Sequence, residues 1–138
     1  MKYYGQNGED PYGMNVTRMD SHGGWIASPA DVVQFAMHVG GFANPASIIK
    51  PETIALMTVP SIANPRYAKG WAVNPVNGSW SHTGSLPGTK TNMVRVKSGF
   101  CWAAFANSRD TIISKSFMHR DLDQLLWSMV RRVKAWRA

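Results

Sequence analysis

The chain has 138 residues, 44% of them hydrophobic, and carries 15 Lys and Arg against 8 Asp and Glu for a formal net charge of +7. That length supports one folded core, and that hydrophobic share excludes disorder as the default state. No apolar run approaches the ~20 residues of a bilayer span, no charged-then-apolar leader opens the sequence, and the lone Cys101 excludes an internal disulfide or a paired-thiol metal or redox motif.

Residues 1–20 are rich in Gly, Asn and Asp, with Tyr3, Tyr4 and Tyr12 among them, and read as loop or tail. A helix should follow, with Ser28 as N-cap, Pro29 at its first position and Asp31 three residues after the cap. Val32, Phe35, Ala36 and Val39 recur at helical spacing, and Gly40-Gly41 stops the helix. A second short helix is expected from Pro51 to Thr58, before Pro60. Strands are expected at 69–74, 79–83, 90–96 and 100–107, with Asn77-Gly78 and Ser98-Gly99 as hairpin turns. The last helix, 115–136, should align Met118, Leu122, Leu125, Met129, Val133 and Trp136 on a face that covers the sheet. The expected class is α+β: an antiparallel sheet of three or four strands, a C-terminal helix packed on it, and a small helical part before it. Trp71, Trp80 and Trp102 suit sheet packing better than ligand stacking, and Cys101 suits a small buried hydrophobe.

Charge is uneven along these elements. Residues 1–65 hold 3 basic against 5 acidic side chains, and residues 66–138 hold 12 against 3. Lys90, Arg95 and Lys97 alternate with Met93, Val94 and Val96, the pattern of a solvated sheet face or edge. Arg131, Arg132, Lys134 and Arg137 gather at a helix C-terminus, where cations complement the dipole. The basic half is thus read as solvated structure, not as a nucleic-acid surface. No His-x-x-x-His or paired Cys supplies a metal site, and no cofactor motif occurs. His22 beside Gly23-Gly24 suits a turn; His38 and His119 suit helix surfaces.

His82-Thr83-Gly84, followed by Ser85, carries the most chemistry. The run reads as a strand edge ending in a tight turn. A basic side chain and a hydroxyl stand beside a glycine that allows close approach, and the Ser85 backbone N–H is placed to meet a developing oxyanion. Two other stretches join it in order: Ser21-His22-Gly23-Gly24-Trp25 running into Ser28-Pro29-Ala30-Asp31 and an apolar helix, and Tyr67-Ala68-Lys69-Gly70-Trp71. Together they resemble the serine β-lactamase-related family, which contains class C β-lactamases, DD-peptidases and related esterases. Its members carry Gly-Gly, a Ser/Thr-x-x-Asp helix start, a Tyr-Gly-x-Gly-Trp strand start and a Lys/His-Thr/Ser-Gly strand. Ala68 and Lys69 depart from that pattern.

The resemblance implies a partial β-lactamase/transpeptidase-like fold, with residues 21–138 as the C-terminal portion of a catalytic domain. The implied chemistry is acyl transfer on an amide, lactam or ester carbonyl of a small-molecule or peptide substrate. His82 would anchor or polarise that substrate, Thr83 and Gly84 would line its site, and the Ser85 N–H would complete an oxyanion hole. One such donor is worth about 2.7–4 kcal/mol of barrier. His in place of Lys favours peptidase or esterase chemistry over β-lactamase, because a neutral imidazole attracts an anion weakly.

No catalytic nucleophile is assigned within the chain. The family's Ser-x-x-Lys nucleophile and Tyr motif precede the basic-Thr-Gly strand; only 81 residues precede His82, and no Tyr-x-Asn or Tyr-x-Ser occurs. Both are expected from an upstream segment, which would also carry any export signal, so the compartment stays open between cytoplasm and periplasm. Ser47-Ile48-Ile49-Lys50 spells the motif, but Lys50 precedes Pro51 and is pushed away from helical geometry, so Ser47 and Lys50 should not share a helical turn. The alternative is a non-catalytic binding or remnant module, self-associating or pairing with another chain. Because the parent fold would continue the sheet with strands from its N-terminal part, a homodimer or a swapped one is expected, through a strand edge and helix surface left open.

Overall fold

The computed structural model describes residues 1–109 and 117–133. It is α+β: helices α1 (Val16–Met19), α2 (Pro29–Val39), α3 (Pro51–Thr58) and α4 (Phe117–Arg132), and strands β1 (Ala72–Asn74), β2 (Ser79–Leu86), β3 (Thr89–Arg95) and β4 (Cys101–Ala106). The strands form one antiparallel sheet in the order β1-β2-β3-β4. Two compact units divide the described residues: one holds 1–25, 84–92, 104–109 and 117–133, the other 26–83 and 93–103.

Local chemistry explains the helices of the second unit. The Ser28 hydroxyl accepts from the Asp31 N–H while the Asp31 carboxylate accepts from the Ser28 N–H, a complete capping box with Pro29 at the first helical position. Those bonds hold the Asp31 carboxyl below its usual range. Ala36 and Val39 are buried, whereas Phe35, expected on the same face, is exposed. α3 begins at Pro51, and Lys50 is extended with φ −63° and ψ 144°, so no helical turn joins Ser47 to Lys50. The Ser47 hydroxyl instead donates to the His38 carbonyl at 3.0 Å.

The second unit's core is Val39, Trp71 and Trp80, with Ile49, Ile54, Val73 and Met93 packed against it. The Trp71 and Trp80 rings lie 5.8 Å apart. Arg95 does not belong to a solvated face, as its alternation with Val94 and Val96 implies. Its guanidinium stacks on Trp80 at 4.4 Å and on Phe42 at 4.6 Å, and its Nε donates to the Gly40 carbonyl. Phe42 and Gly40 follow α2, so the aromatic environment that captures Arg95 is assembled from residues remote in sequence. Lys97 is exposed in the turn before β4.

In the first unit, residues 1–20 are mostly loop but are tied down. Tyr4 bridges Ser108 in parallel and its N–H donates to the Asn107 carbonyl. The Arg109 guanidinium grips the Glu9 carboxylate with two nitrogens, holding Glu9 below its usual range. α1 starts at Asn15, whose side chain caps the Arg18 N–H.

β2 is three residues longer than the sequence suggests, and its turn is Pro87-Gly88, with Gly88 at φ +73°. Proline first and a positive-φ glycine second suit a type II turn. On α4, Leu125 and Met129 are exposed, as is Val133 just beyond, while Leu122, Leu126 and Val130 are half-buried. The inward stripe therefore runs one position away from the face expected for this helix, and from it Asp123 accepts a hydrogen bond from the buried Asn92 side chain. The side chains of Met118 and His119, residues Lys134, Trp136 and Arg137, and the expected start of the helix at 115 lie outside the described residues, whereas the helix ends at Arg132, short of the expected 136.

Candidate functional site

β2 carries His82, Thr83, Gly84 and Ser85 in that order. His82, Thr83 and Ser85 are exposed and Gly84 is half-buried. Successive side chains on a strand alternate between faces, so His82 and Gly84 share the face of Trp80, and Thr83 and Ser85 share the other. The four therefore do not converge as side chains. Their backbone is where they meet.

β1 pairs with β2 only at Ser79, Trp80 and Ser81. From His82 to Leu86 that edge of β2 has no strand partner among the described residues. The two-residue Pro87-Gly88 connection closes Leu86 against Thr89 as a hydrogen-bonded pair, and alternation then turns the N–H and C=O groups of Thr83 and Ser85 away from β3, along the open edge. The Ser85 N–H thus points outward along that edge. Gly84 has a different neighbour from the ligand expected there. A Cβ built on it would stand 2.4 Å from the Thr91 Oγ1 on β3. The missing side chain makes room for a cross-strand hydroxyl.

Tyr67 joins the site, and sequence reasoning missed it. A loop after α3 holds it: the Tyr67 N–H donates to the Asn64 carbonyl, its C=O accepts from the Ser61 N–H, and it bridges Ala72 at the start of β1. Gly70, at φ +80°, completes the reversal between Tyr67 and Trp71. Because Ala72 pairs with Ser81 on its other side, Tyr67 comes beside His82, and Tyr67 Oη lies 2.9 Å from His82 Nε2. The rings meet edge to face, 6.2 Å between centroids.

The other ring nitrogen fixes the chemistry. His82 Nδ1 lies 2.9 Å from the Thr83 carbonyl oxygen, and a carbonyl can only accept. Nδ1 therefore carries the proton, and in a neutral imidazole Nε2 is then an acceptor for the Tyr67 O–H. Both ring nitrogens are occupied. A ligand at this point meets the Tyr67 oxygen before it meets a free imidazole N–H. Lys69, between Tyr67 and Gly70 in the sequence, turns away, its Nζ donating to the Leu56 carbonyl at 2.8 Å.

Cys101, half-buried at the start of β4, has its thiol pushed up from 9.0 to about 11 by burial, with the charge of Arg95 opposing the rise. A shift of that size leaves about a hundredfold less thiolate near neutral pH. Iodoacetamide should therefore label Cys101 far more slowly in the folded protein than in urea, and equal rates would show the thiol is not enclosed. Among the described residues no group of His, Cys, Asp and Glu could hold a metal ion, and no helix is long and apolar enough to cross a membrane. No protein-family model, no curated protein and no solved structure matches the chain.

Proposed function

We propose that residues 21–138 are the C-terminal portion of a β-lactamase-related serine hydrolase domain, acting on an amide, lactam or ester carbonyl. In this reading a Ser-x-x-Lys pair and a Tyr motif come from outside these residues. His82, Thr83, Gly84 and Ser85 supply the strand along which the acyl group lies. The observation that carries the proposal is the open edge of β2, where the Thr83 and Ser85 backbone groups face outward unpaired by β1. Peptidase or esterase substrates fit better than β-lactams, because the Thr83 carbonyl and Tyr67 engage both nitrogens of His82 and leave no cation-like donor for a carboxylate.

Titration with an N-acylated dipeptide, followed by amide chemical shifts, tests the site. Shifts at Thr83 and Ser85 are expected, and ligand-induced shifts that avoid residues 82–85 would sink the reading. The 138-residue chain by itself should turn over neither a chromogenic cephalosporin nor a short-chain p-nitrophenyl ester. Catalytic turnover abolished by Ser47→Ala would overturn both that expectation and the exclusion of the Ser47–Lys50 spelling.

The same open edge supports the second reading, a binding module that pairs with another chain. Unpaired strand edges recruit strands, and twofold pairing is the commonest closed solution. Light scattering at micromolar concentration should give a dimer mass; a monomer that unfolds cooperatively would remove this reading.

A further inference from the structure

Tyr67 is held against His82 by a geometry that does more than fasten a loop. The Thr83 carbonyl fixes the Nδ1 proton of His82, which leaves Nε2 as a base 2.9 Å from the Tyr67 hydroxyl. A hydroxyl whose proton is aimed at a base carries extra electron density on its oxygen, and the remaining lone pairs of that oxygen are its free side. Tyrosine serves as a nucleophile when a neighbouring base is so placed. The arrangement of hydroxyl, imidazole and orienting oxygen is complete within residues 67–83 and uses nothing from outside the chain.

We propose that Tyr67 is a His82-activated nucleophile that accepts acyl and sulfonyl groups from activated donors. In the step, the Tyr67 Oη forms a bond to the electrophilic carbon or sulfur, and the phenolic proton passes to His82 Nε2. The bond to the leaving group breaks, and that group departs with its electron pair, as fluoride from a sulfonyl fluoride. The imidazolium keeps its Nδ1 proton, donated to the Thr83 carbonyl, and gives the Nε2 proton to solvent or to the leaving group. Tyr67 ends as an aryl ester or sulfonate. This activity is separate from the hydrolase reading, since it needs neither an external serine nor the Ser85 N–H, and either can fail without the other.

The chain contains its own controls. Tyr4 is 50% exposed and Tyr12 63% exposed, against 38% for Tyr67, so accessibility alone ranks Tyr67 last of the three. Tyr12 Oη accepts from the Tyr3 N–H, which draws density away from its oxygen. The intact chain is treated with an arylsulfonyl fluoride at neutral pH and the labelled residues are mapped by mass spectrometry. Tyr67 should label roughly tenfold faster than Tyr4 or Tyr12, short of the 10²–10⁴ of a fully enclosed general base because this pair is exposed.

His82→Ala should bring Tyr67 down to the rate of the other two. His82→Gln offers a hydrogen-bond acceptor but no proton-accepting nitrogen, and should fall equally. Retained fast labelling in His82→Gln would make His82 a mere tether and overturn the proposal, as would labelling that follows exposure in the wild-type chain. A ¹⁵N spectrum of the wild-type imidazole provides the check on geometry. It should show a protonated Nδ1 and a bare Nε2, and Tyr67→Phe should keep Nδ1 protonated because the Thr83 carbonyl remains in place. Averaged nitrogens in the wild type would also overturn the proposal.

Discussion

Trp80→Ala should cost about 3–5 kcal/mol of folding stability, the range for removing a buried tryptophan. The ring is the centre of the second unit: Trp71 lies against it, Val39 shares its cluster, and the Arg95 guanidinium covers it. Deleting it opens a cavity and strips a half-buried cation of its aromatic face. Burial already disfavours the charged Arg95 guanidinium, which would keep only the Phe42 ring and the Gly40 carbonyl as partners. A domain stable by about 5–15 kcal/mol loses a large part of that margin. Urea unfolding measures it, and a loss below about 1 kcal/mol would mean that Trp80 is not a core residue. Trp80→Phe, which keeps a ring under Arg95, should lose less.

Gly84→Ala should cost about 1–3 kcal/mol, the usual penalty for forcing a methyl into filled space. The cause is specific. The new Cβ meets the Thr91 hydroxyl at 2.4 Å, while the Thr91 Cβ stands back at 3.7 Å. Gly84 is not among the glycines with positive φ, so backbone strain adds little and the clash is the whole effect. Thr91→Ala removes the offending oxygen, and the double variant Gly84→Ala/Thr91→Ala should recover most of the loss. The coupling in a double-mutant cycle should approach the single-site penalty. Simple additivity would show that something other than Thr91 requires the glycine.

What the sequence revealed and what it hid divide along one physical line. Features decided within a few residues were legible. The Ser28–Asp31 box, the proline start at Pro51 and the Asn77-Gly78 and Ser98-Gly99 turns, with Gly78 at φ +64° and Gly99 at +100°, are local chemistry. Features decided by a distant partner were not. Gly84 looks like a breaker until Thr91 is set across from it, so β2 was expected to stop at 83. Arg95 looks like a solvated strand cation until Phe42 and Trp80 close on it. On α4, Leu125 and Leu122 fit one apolar arc equally well, and the side that turns inward carries Asp123, tied to Asn92 from 31 residues away. His82 was legible as a candidate through its Thr-Gly context. Tyr67 stands 15 residues earlier, and only the reversal at Gly70 and the short pairing of β1 carry it to the imidazole.

The tilt of the two indoles in the second unit has an optical consequence. Trp71 and Trp80 are 5.8 Å apart with their planes at 54°, close and oblique enough for their excited states to mix. Mixed transitions of that kind give a paired positive and negative band in circular dichroism near the strong indole absorption, which isolated tryptophans do not produce. Trp25 is exposed and in the first unit, so it contributes no such couplet. The couplet thus reports the contact between Trp71 and Trp80 inside the second unit, and melting followed at that couplet and at the amide band compares the loosening of this indole pair with the loss of backbone structure.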